Sequence, residues 1–439
     1  VTQKHPTIKS RVVREKRDVF LYEAEKNIVI DYFDQPTDIK EWYTKTNQIP
    51  FNFQDGPLTR FLVVSTGNKH QILVVVHHLI ADGVGLYNLS HDLLLALDHQ
   101  LDGKVLPCGV SSFVKENKLH FLPALLVKSM NKKFAKTKQD FSEADYLKFF
   151  LEYQEIGQSD YHILTFDQTQ VEKMKSLLKK DQLTLNEYLV SCIALSAKKC
   201  LPYFQDKVIR MGVPLSFRDE LVEPKPSCVG NYSSGVSINY DVDQLKSPLE
   251  NAILAKSLLR KPLQDFKNRH LAINFMNALE PELLDVIAPA VYDPNFDNPL
   301  VAKVGSYLGE SNSVYGIGVT NLGKKELGNF EHLTDAHLTF IPPSFPPHLL
   351  TCGVLTFNQE LNLTICYKSS IVTQAEIQAF LLDLKTQLSQ IALFQNGFGE
   401  FGIFLLNQKE RLFPKKMRKT SLLSRLKTGN WLFNCGICP

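Results

Sequence analysis

The chain has 439 residues, 44% of them hydrophobic and 22% charged, with 22 Gly, 22 Pro and a formal net charge of only +3. These values exclude a disordered chain, a collagen-like repeat and a coiled coil, and they give no overall basic character for binding nucleic acid. Length alone predicts about two to three domains, or one large two-lobed fold.

Eight cysteines, at 108, 192, 200, 228, 352, 366, 435 and 438, form no dense framework, so a reducing, cytoplasmic setting is expected. No apolar run is long enough to span a bilayer. The first residues, Val1-Thr2-Gln3-Lys4, do not resemble a signal peptide and leave targeting undecided.

In chain order, Phe61-Leu62-Val63-Val64 reads as a short strand, Thr66-Gly67-Asn68-Lys69 as its turn, and β-branched Ile72-Leu73-Val74-Val75-Val76 as a buried strand. After His77–Gly83 the period changes. Leu86, Leu89, Leu93, Leu94 and Leu97 share one helical face and predict a helix packed back on the sheet. The lysine group at 128, 132, 133, 136 and 138 lies in a stretch that reads as a polar connector between two halves, ending near Ser142.

The second half opens with a strand over 161–166 and a helix through Val171, Met174 and Leu178. Thr184-Leu185-Asn186-Glu187 is a capping box opening a buried helix to about Lys199. Further strands are expected at 208–215, 234–240, 314–320, 351–357 and 361–368, with a helix at 373–391. The fold class is α/β (α+β) with two lobes, residues 1–142 and 143–395, followed by a tail, 396–439. Lys409–Lys427 carries eight basic residues and one acid, and with Leu422, Leu423, Trp431 and Phe433 nearby it is a candidate for peripheral contact with an anionic membrane, against a merely solvated extension.

The chemistry concentrates in His77-His78-Leu79-Ile80-Ala81-Asp82-Gly83. Successive strand side chains point to opposite faces, so only one of the two histidines can face a given cavity. A neutral imidazole held there can take a proton from a hydroxyl or amine near neutral pH. A histidine pair that merely caps a strand is the competing reading. A metal is not expected, because His77 and His78 diverge and leave His78 and Asp82 as at most two ligands.

His-His-x-x-x-Asp-Gly after an apolar strand, preceded by Gly56-Pro57-Leu58-Thr59-Arg60-Phe61, resembles the chloramphenicol-acetyltransferase-like superfamily. That group includes condensation domains, alcohol acetyltransferases, polyketide-associated acyltransferases and plant BAHD acyltransferases. His5-Pro6-Thr7-Ile8-Lys9 is similar to its HPxLR segment, Gly230-Asn231-Tyr232 to its GNY segment, and Thr320-Asn321-Leu322-Gly323 to its SNLG segment. The resemblance runs from about residue 1 to about 395.

The resemblance implies two lobes, each a mixed sheet covered by helices, with a channel between them. His78 is implied as the general base that deprotonates a hydroxyl or amine acceptor attacking an acyl thioester, carried on coenzyme A or on an acyl carrier protein, with no permanently bound cofactor. Asp82 is implied as a structural orienter paired with an arginine, for which Arg218 is the candidate. Gly83 is expected to turn the backbone without blocking the channel.

Thr320 and Asn321 are candidate contacts to the oxyanion or acceptor, against a strand-ending turn. A small-molecule alcohol or amine acceptor is expected, with an acyl carrier protein as a further partner, and a monomer. The plant DFGWG signature is absent. No carrier or adenylation module accompanies the motif, so ester formation is preferred, with a free-standing peptide-synthetase-type condensation domain forming amides as the second enzyme reading. The family's first strand and helix are expected to be missing ahead of His5, and an inactive thioester-binding member is the reading from another class.

Overall fold

A continuous β-branched run is too short for a helix and too apolar for a surface, and Ile72–Val76 accordingly lies fully inside a sheet. The computed structural model describes residues 1–15, 18–105, 119–136, 142–155, 157–222, 227–287, 299–308, 316–326, 328, 330–331, 333, 336–344, 348–393 and 430–438. The chain enters through a hairpin, β1 (Ser10–Glu15) and β2 (Asp18–Glu23), paired antiparallel. Ahead of it His5, buried, meets Asp92 through Nε2 at 2.5 Å, and Lys4 Nζ donates to Asp92 at 3.2 Å. The His-Pro segment thus ties the start of the chain to the helix after the histidine motif.

The first sheet is built on β3 (Ile30–Phe33), β4 (Thr59–Thr66) and β5 (Lys69–His77), with α1 (Ile39–Thr46) between β3 and β4. β4 and β5 form the predicted antiparallel hairpin, with Thr66 opposite Lys69 around Gly67 at φ +59°. The helix expected after the motif is α2 (Gly83–Leu97), with Leu86, Leu89 and Leu94 buried.

Next come α3 (Phe121–Phe134) and α4 (Glu143–Glu155). The expectation of a polar connector here is therefore corrected. Lys128, Lys132 and Lys133 lie on the exposed side of α3, while Val127, Met130 and Phe134 pack against Phe275, Leu279 and Leu283 of the second half. Lysines dominate the composition of this stretch, but the apolar positions between them, at spacings of three and four, make the helix.

The second sheet has six strands: β6 (Ser159–Phe166), β7 (Ile209–Ser216), β8 (Ser233–Tyr240), β9 (Gly316–Lys325), β11 (His348–Phe357) and β12 (Glu360–Lys368), in the order β6-β12-β11-β9-β7-β8. β7, β9 and β11 run parallel at its centre and the rest pair antiparallel. Helices α5 (Gln168–Lys180), α6 (Leu185–Cys200) and α7 (Pro248–Gln264) belong to this half, and the long α11 (Gln374–Leu393) follows its last strand. The capping box is present: the Thr184 side chain accepts from the Glu187 amide, and Glu187 accepts from the Thr184 amide. From that cap α6 runs nearly buried on all sides, in the core of the second half. Shorter helices α8 (Phe266–Ala278), α9 (Pro281–Asp285) and α10 (Pro299–Leu308) carry the satellite core under α3.

Two strands from late in the chain return to the first sheet. β10 (Ala336–Ile341) and β13 (Asn430–Cys438) extend it in the order β10-β13-β5-β4-β3, with β13 parallel to β5. The basic stretch Lys409–Lys427, a membrane-contact candidate from its sequence, lies outside the described residues. No helix among the described residues is long and apolar enough to cross a membrane.

Candidate functional site

Strand β5 ends at His77, and the two histidines part there. His77 turns into the core, where its ring meets Phe51 and Phe53 edge-on, at 5.7 and 5.0 Å between centroids. Its Nδ1 accepts from the Leu79 amide at 3.1 Å. Burial, with His78 and Arg60 close by, pushes the His77 pKa down to about 3, so it is neutral at any physiological pH.

His78 faces the other way and is half-buried. Its Nδ1 lies 3.0 Å from the Ala81 carbonyl oxygen. Asn231 Nδ2, which can only donate, lies farther from the same nitrogen, at 3.4 Å; the shorter contact, to a carbonyl that can only accept, favours the tautomer with the ring proton on Nδ1 and the lone pair on Nε2. Asn231 Nδ2 donates to the His78 carbonyl at 3.0 Å, and its own Oδ1 accepts from the Ser233 amide and hydroxyl. The sequence marks Asn231 only as part of a family-like GNY segment; the contact with His78 is what gives it a part in the site.

Asp82 is the N-cap of α2, its Oδ1 accepting from the Gly85 amide at 2.8 Å. Its Oδ2 accepts from Arg218 Nη1 at 2.6 Å and from the Tyr232 amide at 2.9 Å. Both partners of the ion pair are 2% exposed. Arg218 reaches on to the Gly230 carbonyl through Nη2 at 2.7 Å. The buried guanidinium and carboxylate are thus covered by further hydrogen bonds, which is what a buried pair requires. Through these bonds Asp82 clamps the motif loop to Arg218 and Tyr232 of the second half.

Gly83 sits at the first position of α2. A Cβ there would meet Leu322 Cδ2 at 2.8 Å and Phe340 Cζ at 3.0 Å. Its backbone is helical, and the absence of a side chain leaves room for Leu322 of β9 and Phe340 of β10, which approach it closely. Gly85, which no sequence motif singles out, is as tightly placed: a Cβ would lie 2.9 Å from both Arg218 Nη2 and the Gly230 carbonyl oxygen.

Thr320 and Asn321 are separated by the pleat. Val319 belongs to the helix-side core and Leu322 touches Gly83, so Thr320 shares the face of Leu322, toward the first half. Asn321 lies on the opposite face. Its Nδ2 donates to Asn186 Oδ1 of α6 at 3.3 Å, and its Oδ1 accepts from the Gly323 amide at 2.8 Å. The expectation of Asn321 as an oxyanion or acceptor contact is therefore corrected: its Nδ2 ties the end of β9 to α6, and its Oδ1 closes a local turn within β9. Thr320 stays on the face turned toward the first half. β7 and β9 pair in parallel over Arg210–Gly212 and Gly316–Gly318; just past the end of β7 Arg218 bonds Asp82, and Leu322 of β9 lies against Gly83.

Against known proteins, the chain is 28% identical over 87 residues to bacitracin synthase 3 of Bacillus licheniformis, and 32% identical over 87 residues to a plipastatin synthase of Bacillus subtilis. These stretches cover 20% and 17% of this chain but only 1% and 3% of those synthases. Among solved structures, the epimerization domain from the third module of tyrocidine synthetase B aligns over 90% of this chain and 87% of its own, with a TM-score of 0.53 and 16% identity. The first condensation domain of the CDA synthetase aligns over 89% and 85%, with a TM-score of 0.50 and 10% identity. Likeness at that identity establishes the two-lobed fold. The condensation-domain family model matches residues 1–260, the span that holds His78, Asp82, Arg218 and Asn231, and the chain belongs to the condensation-domain family of the chloramphenicol-acetyltransferase-like superfamily.

Proposed function

We propose that this protein transfers an acyl group from a thioester to a hydroxyl or amine acceptor, with His78 as the general base. The observation that carries this reading is the Nδ1 contact of His78 with the Ala81 carbonyl, which leaves Nε2 as the basic atom on a half-buried ring. His78 Nε2 removes the acceptor proton as the acceptor attacks the thioester carbonyl. The tetrahedral oxyanion collapses, the C–S bond breaks, and the protonated His78 returns its proton to the leaving thiolate. A hydrogen-bond donor to that oxyanion contributes about 3–4 kcal/mol, and the Thr320 hydroxyl is the side chain we assign to it. No covalent enzyme intermediate is needed.

Family membership supports a carrier-bound donor, and the chemistry at His78 accepts a coenzyme A thioester equally well. The test is thiol release from a panel of acyl-coenzyme A and acyl-phosphopantetheinyl carrier donors, each with pooled alcohols and amines, and analysis of the product as ester or amide. Acceptor-dependent release with either donor class supports the reading. Thioester binding without release from any donor, unchanged in His78→Ala, overturns it in favour of a binding protein.

A further inference from the structure

Helix α3 buries one side against the satellite core, and among the described residues nothing covers the other. In its first turn Phe121 is 75% and Leu122 74% exposed, with Leu125 at 48%. Large apolar side chains so fully in water at adjacent positions mark an interaction surface rather than scattered surface hydrophobics. The next turns carry Lys128, Lys132 and Lys133, all exposed and none in an ion pair among the described residues. Phe121, Leu125, Lys128 and Lys132 recur at spacings of four, three and four and form one stripe along the helix, with Leu122 and Lys133 together on its flank, about a quarter to a third of a turn round. Residues 119–136 contain no Asp or Glu.

We propose that this stripe of α3 seats the protein on an anionic lipid surface. Phe121, Leu122 and Leu125 enter the boundary between headgroups and acyl chains, while Lys128, Lys132 and Lys133 meet the headgroup phosphates. The combination of aromatic and aliphatic side chains with lysines on a single helix is that of an interfacial contact. A protein partner fits less well. Protein interfaces are depleted in lysine at their cores, whereas three lysines stand beside the apolar side chains here. Long lysine stems lie along apolar surface while their ammonium groups stay in water, which suits the headgroup layer. The contact is independent of the chemistry at His78.

The test is cosedimentation of the full chain with vesicles of phosphatidylcholine alone and of phosphatidylcholine with roughly 30 mol% phosphatidylserine. Binding to the second kind, weakened by salt, is expected. K128E/K132E/K133E and F121S/L122S/L125S should each weaken it by about tenfold or more, with the thermal melt unchanged because all six side chains are exposed. The basic stretch Lys409–Lys427 provides the control. Binding unaffected by the α3 variants but abolished when that stretch is neutralised overturns the proposal and assigns the contact to the tail. Absence of wild-type binding also overturns it. If the F121S/L122S/L125S variant then loses self-association, or transfer from a carrier-bound donor only, the surface belongs to a second copy or to a carrier protein.

Discussion

His77 and His78 share a peptide bond and almost nothing else. His77, between Phe51 and Phe53, is held neutral by burial, and His348, lying against Gly212 and Gly318, has its pKa pushed down to about 4 by burial and by Arg210. In the unfolded chain both titrate near 6.5. Below that pH the unfolded state binds protons that the native state excludes, so each histidine removes stability at about 1.4 kcal/mol per pH unit as pH falls. The loss runs from about pH 6.5 down to about 3 for His77 and about 4 for His348. Denaturant unfolding at several pH values between 7 and 4.5 should show a shallower acid slope for His348→Gln than for wild type; equal slopes would contradict the burial argument. At His78, Asn231→Ala removes a hydrogen bond of ordinary strength, about 0.5–1.5 kcal/mol. It should lower kcat by about twofold to tenfold with KM little changed, whereas Asn231→Asp, which cannot donate to the His78 carbonyl, should give no rescue. A change confined to stability would show that Asn231 holds only the loop.

The strand and helix patterns that local sequence can carry were legible. β4 and β5 were visible as a β-branched hairpin, and α6 as a capping box followed by an apolar run, because each is specified by residues within one element. What escaped was set by distant partners. β10 and β13 join β5 from far along the chain, and no local period announces which sheet receives a strand. α3 was hidden by its lysines. On β9 the adjacent positions 320 and 321 looked equivalent, and only the pleat, fixed by pairing with β11, sends Asn321 to α6. Gly83 and Gly85 were legible as glycines but not for their reasons, since the atoms they approach belong to β9, β10 and Arg218. Gly85→Ala forces a Cβ onto a guanidinium and a carbonyl oxygen and should cost about 1–3 kcal/mol in denaturant unfolding. Gly67→Ala, with open space around its Cβ position, lacks that clash and carries only the penalty of its positive φ.

At the scale of the molecule, the Asp82–Arg218 pair joins the loop that bears His78 to the second half, and so fixes His78, the proposed base, relative to the sheet that carries Thr320. Asp82→Asn or Arg218→Gln alone leaves a buried charge uncompensated and should destabilise by about 3–5 kcal/mol. The two changes together should cost less than their sum, because neither charge is then left alone. Additive costs in a double-mutant cycle would show that the pair is not coupled.

The most direct measurement is single-turnover thiol release from the preferred acyl thioester at saturating acceptor, in wild type and in His78→Ala, with His77→Gln beside them. The account predicts a loss of about a hundredfold to ten-thousandfold in His78→Ala. His77→Gln should keep most of the rate in whatever fraction folds. Equal rates in wild type and His78→Ala would contradict the assignment of His78 as the base.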